Sequence, residues 1–350
     1  MRRFAQRAVG SLFRLRRAAP FQIRQVNRIL LVRTDKIGDA IVSTPVLQAL
    51  RQRYPDARID VVLGRRNRAA GSLLPFKDRI LVAERGAMKM LSLIRKLRAE
   101  RYDLAIDMLP SDSVTAAIAT AVSGAAMKIG FEDSASAFYN AAVPHPAGLE
   151  HHVPRLLRLL TPLGVVVTPD QALPSIALPA SSCETVRALL AEWRVSQAPF
   201  ILINISGSSP RKFWGVQNFV ALARGLARLN VEIGLLSAPA DGGLLQQIAA
   251  EAGVRSIPPM PRLEDFSALL SFADLVVSPD TSIVHIAAAL GKPVVTLTGQ
   301  GDLATEWAPW GVPYRVVTGP GLIPDIPVAE ALEAVRSLAK EVLPVEAGVT

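Results

Sequence analysis

Short apolar runs alternate with amphipathic stretches from Arg28 onward. Ile29–Val32, Ile59–Leu63, Ile80–Val82 and Leu104–Met108 read as buried strands. A loop, Thr34–Gly38, leads from the first of them into a helical stretch reaching about Arg53, where Tyr54-Pro55-Asp56 breaks it. His151–Leu163 predicts another helix with Pro154 in its first turn. Strands that are nearly continuously apolar, separated by helices, point to a parallel sheet covered on both faces. The texture changes over Val165–Ala180, where Pro169, Pro174 and Pro179 interrupt any periodicity, as in a linker. After a helix around Glu184–Trp193, a second series of strands follows at Phe200–Ile205, Val231–Leu236, Leu275–Val277 and Val294–Thr298. The expectation is an α/β chain of two similar domains with the ligand cleft between them, at the C-terminal ends of the strands. The boundaries drawn are an arm at 1–28, a first domain at 29–168, a linker at 169–180, a second domain at 181–325, and a helix and tail at 326–350.

Composition narrows the class. Half of the 350 residues are hydrophobic and one in five is charged, so there is ample apolar surface to bury and a largely disordered chain is excluded. The single cysteine, Cys183, excludes a disulfide framework and suits a reducing cytoplasm. The uncharged stretch Ser113–Met127 falls short of the roughly 20 apolar residues that cross a bilayer. The net charge of +9 is local: residues 1–34 hold nine arginines and no acid, and the rest of the chain is formally neutral. Within the arm, a helix would gather Phe4, Ala8, Leu12 and Leu15 on one face with the arginines largely off it, which fits an interfacial helix on an anionic membrane surface, or else the arm is a solvated, poorly ordered terminus. Arg14, Arg16 and Arg17 interrupt what a secretory signal would keep apolar. Nothing in the arm supplies base-reading chemistry, so no nucleic-acid partner is expected. The expected location is cytoplasmic, peripheral at the inner membrane face.

Three polar loops follow strands. Arg33-Thr34-Asp35-Lys36-Ile37-Gly38-Asp39 ends the first; Gly38 permits a tight turn or a close backbone approach, and Asp39 stands where a helix N-cap would. Asn204–Trp214 combines Ser206, Ser208 and Ser209 with Arg211 and Lys212, a set able to surround a phosphate, or else a surface loop anchored by Trp214. In Ser278–His285, Asp280 suits the N-cap of a helix whose free N–H groups at Thr281 and Ser282 favour an anion. His285, one turn later, is either structural or a donor to a bound oxygen. No P-loop, His-Glu-x-x-His or Gly-x-Ser-x-Gly motif occurs. Gly299–Ala304 fits a dinucleotide pattern but lacks a βαβ unit after it. No Asp-x-Asp pair is present to hold a nucleotide-bound metal.

Taken together, these loops resemble those of the family 9 glycosyltransferases, the heptosyltransferases of lipopolysaccharide core assembly. The resemblance is carried by Ile29–Pro45 with its Gly38-Asp39, by Lys128-Ile-Gly-Phe131, by Ser208–Trp214, and by Asp274–Val295 with Asp280-Thr281-Ser282 and His285. It implies a GT-B fold, two Rossmann-like domains with parallel sheets facing a central cleft, the first taking the acceptor and the second the nucleotide-sugar donor. It also implies inverting, metal-independent sugar transfer from a nucleotide-sugar, ADP-heptose in characterised members, to a lipid-linked saccharide. The donor would be a substrate, and no cofactor is expected. By the resemblance Asp39 is the general base, Thr34 and Gly38 shape the acceptor loop, and Lys212, Ser208, Ser209, Thr281 and Ser282 stabilise the departing diphosphate. Asp280 and His285 complete the donor pocket, and Met260 approaches the base of the nucleotide.

The chain departs from the family pattern at three places. Asn204-Ile205-Ser206 stands for His-Pro-Gly, Ser282 for Gly, and Asp107-Met108-Leu109-Pro110 for Asp-Leu-Gln-Gly. Other readings of such a scaffold are a nucleotide-sugar epimerase or hydrolase and a non-catalytic nucleotide-sugar binding protein. A dinucleotide oxidoreductase rests only on the Gly299–Ala304 pattern.

Overall fold

The computed structural model describes residues 25–109, 113–132, 136–146, 148–299 and 303–344. The expected arm helix, the Gly299–Ala304 pattern at 300–302, Pro110 and the tail at 345–350 therefore lie wholly or partly outside the described residues. The chain forms two compact units, Met1–Ser175 and Ile176–Thr350.

The first unit contains β1 (Arg28–Arg33), α1 (Ile37–Val42), α2 (Thr44–Arg53), β2 (Arg58–Gly64), β3 (Arg79–Ala83), α3 (Ala87–Glu100) and β4 (Leu104–Asp107). It continues through α4 (Val114–Val122), β5 (Met127–Phe131), β6 (Ala141–Val143) and α5 (His152–Leu157). Its six strands are ordered β3-β2-β1-β4-β5-β6, every pair parallel. The central strand β1 sets Ile29 beside both Ile59 and Leu104, so apolar residues continue across the sheet and are buried on both faces.

The second unit runs α6 (Ala180–Trp193), β7 (Phe200–Asn204), α7 (Val216–Leu226), β8 (Glu232–Leu236), α8 (Gly242–Ala252), β9 (Arg255–Ser256) and α9 (Leu263–Ser271). It ends with β10 (Leu275–Pro279), α10 (Ser282–Ala289), β11 (Val294–Thr298), α11 (Leu303–Glu306), β12 (Tyr314–Thr318) and α12 (Val328–Val342). Its sheet order, β12-β11-β10-β7-β8-β9, repeats the topology of the first, and each is the doubly wound Rossmann order. The strand order reverses between β1 and β4 in one sheet and between β7 and β10 in the other. Ligands of such sheets bind beyond the strand ends at that reversal. Trp214 anchors the second core: it is fully buried among Phe219, Ile326 and their neighbours, and its Nε1 donates to the Ile326 carbonyl at 2.9 Å.

Several elements differ from the sequence reading. The helix expected from Gly38 to Arg53 is two helices. Pro45, in the first turn of α2, has no N–H to give the Ile41 carbonyl. The Thr44 hydroxyl takes that carbonyl instead at 2.8 Å, and the Ser43 hydroxyl takes that of Ala40 at 2.7 Å. The helix expected over His151–Leu163 is α5 followed by tighter 3₁₀ turns at Arg158–Leu163, ending on Gly164 at φ +66°. The strands β5, β6, β9 and β12 were not read as strands. In β5 the apolar run is broken by Lys128, whose ammonium donates to the Ala125 carbonyl at 2.7 Å and whose pKa is lowered by burial. Gly130 breaks it again, where a Cβ would meet the Tyr139 ring at 2.3 Å. Among the described residues no helix is long and apolar enough to cross a membrane.

Candidate active site

A buried arginine organises the loop that ends β1. The Arg33 side chain is fully enclosed; its Nε donates to the Asp39 carbonyl at 3.2 Å, and its Nη1 donates to the carbonyl of Met108, just beyond β4. The reversal point of the first sheet is thus tied together by one guanidinium. Two carboxylates answer it: Asp35 Oδ1 lies 3.3 Å from Nε and Asp39 Oδ1 lies 3.7 Å from Nη2. Two carboxylates stand against this one buried base, and with Lys36 the loop is formally neutral. Burial pushes the Asp35 carboxyl up to about 6; Arg33 opposes the rise and the Asp39 carboxylate adds to it.

Asp39 is not the N-cap expected of it. Lys36 holds that position in extended backbone, and Asp39 is the third residue of α1, its Oδ2 accepting from the Lys36 N–H at 2.9 Å. Ile37 and Gly38 already turn as helix, so the helix begins before the Gly-Asp pair. Gly38 is buried within that first turn and is not at positive φ. A close backbone approach is made by Gly64, where a Cβ would lie 2.3 Å from the carbonyl oxygen of half-buried Thr34. Asp107, ending β4, accepts from the Tyr139 hydroxyl at 2.9 Å and from the Leu109 N–H at 3.0 Å.

In the second unit the loops after β7 and β10 meet in the same way. The Lys212 ammonium donates to the Asp280 carbonyl at 2.9 Å and to its carboxylate. Asn204 donates to the Ser278 hydroxyl at 3.0 Å. Asp280 is therefore not the N-cap of α10. Thr281 is, its Oγ1 accepting from the Ile283 N–H at 3.4 Å, because the Asp280 carboxylate has the stronger, charged donor of Lys212 available. The pair is open on one side, the Lys212 side chain being 32% and that of Asp280 23% exposed. Ser208 and Ser209 are exposed, and Ser209 immediately precedes the short turn Pro210–Lys212. Gly207 lets that turn fold tightly: a Cβ there would lie 2.4 Å from the Lys212 carbonyl oxygen.

Ser282 opens α10, half-buried, and His285 is buried one turn on, with its ring against the Trp307 edge at a centroid distance of 5.7 Å. Met260 is half-buried in the loop between β9 and α9. The structure thus brings Lys212, Asp280 and Thr281 together in one unit and in the other sets Thr34 on the loop after β1 and Gly38 and Asp39 in the first turn of α1. Sequence reasoning missed Arg33, Asp35, Asp107 and Tyr139 as parts of the first site. Its one available signal was a charged residue at the end of each of two apolar strands. Among the described residues no group of three or more His, Cys, Asp or Glu side chains is gathered as a metal ion would need.

The family model described as glycosyltransferase family 9 (heptosyltransferase) matches residues 90–322, about two thirds of the chain. Both loops of the second site fall within that match, and the Asp39 loop precedes it. Lipopolysaccharide heptosyltransferase 3 of Escherichia coli is 29% identical over 295 residues, covering 78% of this chain and 83% of that protein. Among solved structures, the glycosyl transferase family 9 protein from Veillonella parvula superposes with a TM-score of 0.81 at 18% identity, covering 92% of this chain and all of that one. An E. coli heptosyltransferase solved with ADP gives 0.70 at 22% identity, covering 90% and 99%. At these identities the structural likeness shows the fold, which is GT-B.

Proposed function

The chain belongs to glycosyltransferase family 9 and is a glycosyltransferase, and from that premise we propose that it moves a heptose from ADP-heptose to a lipid-linked saccharide of the lipopolysaccharide type. The transfer so read is inverting and uses no metal. The observation that carries this reading is that each unit has, at its own point of reversal, a polar loop suited to one half of the chemistry. One presents the carboxylates of Asp35 and Asp39 around Arg33. The other presents Lys212, held by Asp280, beside the N-terminus of α10. Asp39 takes the proton from the acceptor hydroxyl as that oxygen attacks the anomeric carbon. The bond from that carbon to the diphosphate breaks, and the negative charge that develops on ADP is met by Lys212, the Ser208 and Ser209 hydroxyls and the N–H groups at the start of α10. His285 and Met260 belong to the donor side of this reading, and Thr34 and Gly38 to the acceptor side.

The named relatives support the choice of donor and acceptor: one acts on lipopolysaccharide by name and another was solved with ADP. An acceptor anchored in lipid places the enzyme at the inner face of the cytoplasmic membrane, with residues 1–28 and their arginines on an anionic surface. A thermal-shift panel of ADP, UDP, GDP, CMP and NAD tests the donor. A ligand at 100 times its Kd stabilises by about 2.7 kcal/mol, which raises Tm by several degrees. A rise with ADP alone is expected. A rise with UDP or GDP instead would replace the donor, and a rise with NAD alone would overturn the reading.

A further inference from the structure

Helix α3 is poorly covered for a helix lying on a sheet. Of its fourteen residues only Leu93 and Leu97 are buried, and a surface helix normally turns polar side chains outward. Here Met88 is 77% and Leu91 39% exposed. At 100° per residue Met88, Leu91, Arg95 and Arg98 fall on one stripe opposite Leu93 and Leu97, and all four are exposed. Beside the stripe a groove of about 310 Å³ runs between α3 and the edge strand β3, walled by Leu81, Val82 and Leu93 and edged by Lys89 and Lys96. From Glu84 to Arg101 the chain carries six basic residues and two acids. Both acids are engaged, Glu84 with Lys89 and Glu100 with Arg58 and Arg79.

We propose that this face of α3 docks on an anionic lipid bilayer, with Met88 and Leu91 entering the interface and Arg95 and Arg98 meeting lipid phosphates. Apolar side chains flanked by cations on one helix face are what such a surface binds. Where the described chain begins supports the same occupant. The Asn27 and Arg28 N–H groups donate to Asp103 Oδ2 at 2.7 and 2.9 Å, and the Arg28 guanidinium donates to the Glu100 carbonyl. Residues 1–24, with seven arginines and no acid, therefore join the body beside the C-terminal end of α3. That segment carries the same sign of charge as α3, and an anionic surface attracts both. The apolar end of α3 follows β3, so it lies at the same end of the parallel sheet as the Asp39 loop. This inference rests on the reading of a lipid-linked acceptor.

The test is co-sedimentation of the full chain with phosphatidylcholine vesicles, with and without phosphatidylglycerol. The wild type is compared with Met88→Glu/Leu91→Glu and with Arg95→Ala/Arg98→Ala. Binding that requires phosphatidylglycerol is expected, weakened roughly thirty-fold by the double arginine change, about five-fold per charge. The glutamate pair weakens it as well, and Tm is unchanged in both variants because these side chains are exposed. Wild-type binding that both variants retain in full would overturn the α3 surface while leaving the lipid-linked acceptor standing. A wild type that binds neither vesicle would overturn both, and a Tm rise with ADP would then show that the donor reading survives.

Discussion

Arg33 is held by two carbonyls and faced by two carboxylates inside a fully enclosed space, so each acid on its loop has its own effect. The Asp39→Asn variant keeps an oxygen for the Lys36 N–H and should fold normally. Its kcat is expected to fall about 10²–10⁴-fold, the worth of a general base, while calorimetric titration shows nucleotide affinity unchanged; an unchanged kcat would remove Asp39 from the chemistry. Asp35 acts on stability. Its carboxyl is raised from 3.8 to about 6, so the folded protein holds that proton more tightly than the unfolded chain. Stability contributed there is present at low pH and is lost as pH rises from about 4 to about 6. Urea unfolding across that range should show Asp35→Asn gaining on the wild type as pH rises, then running parallel above it. At this scale the sequence showed which residues were polar and near a strand end, and little more. Whether Asp39 or Lys36 caps α1 depends on where the first helical turn begins. That Asp280 prefers Lys212 to its own helix depends on a contact between residues 68 positions apart.

Elements were more legible. The strands β1, β2, β4, β7, β10 and β11 are largely apolar and buried on both faces, and the sequence pattern places them within a residue or two of their observed ends. The strands that were missed are short, lie away from the reversal points or are interrupted: β5 by Lys128 and Gly130, β9 by having two residues. The break between α1 and α2 follows from Pro45, although its consequence, the Thr44 hydroxyl serving the carbonyl that Pro45 cannot, needed the structure. Two glycines set the loops that bear the proposed chemistry. Gly207→Ala would force a Cβ against the Lys212 carbonyl, so the nucleotide-induced rise in Tm should shrink. Gly64→Ala presses on the Thr34 carbonyl; about 1–3 kcal/mol of stability should be lost, with kcat falling as the Asp39 loop shifts. Chemical unfolding and steady-state rates check both, and full activity in Gly64→Ala would show the loop's position to be immaterial.

For the whole molecule, the two units repeat one strand order, and in each a polar contact joins the loops at the point of reversal. The alternation of strands and helices announced two α/β halves, and the loop motifs announced the family. What the pattern could not announce was the partner of each charged side chain, because partners come from strands adjacent in space but distant in the chain. The central claim is acceptor-dependent heptose transfer with Asp39 as base. Its most direct test incubates the protein with ADP-heptose and EDTA, with and without a heptose-deficient lipopolysaccharide, and follows ADP and glycosylated acceptor together. The account predicts ADP released one for one with acceptor product, an inverted anomeric centre, and loss of both in Asp39→Asn. ADP released equally fast without acceptor, an altered sugar with no transfer, or activity only with a divalent metal would contradict it.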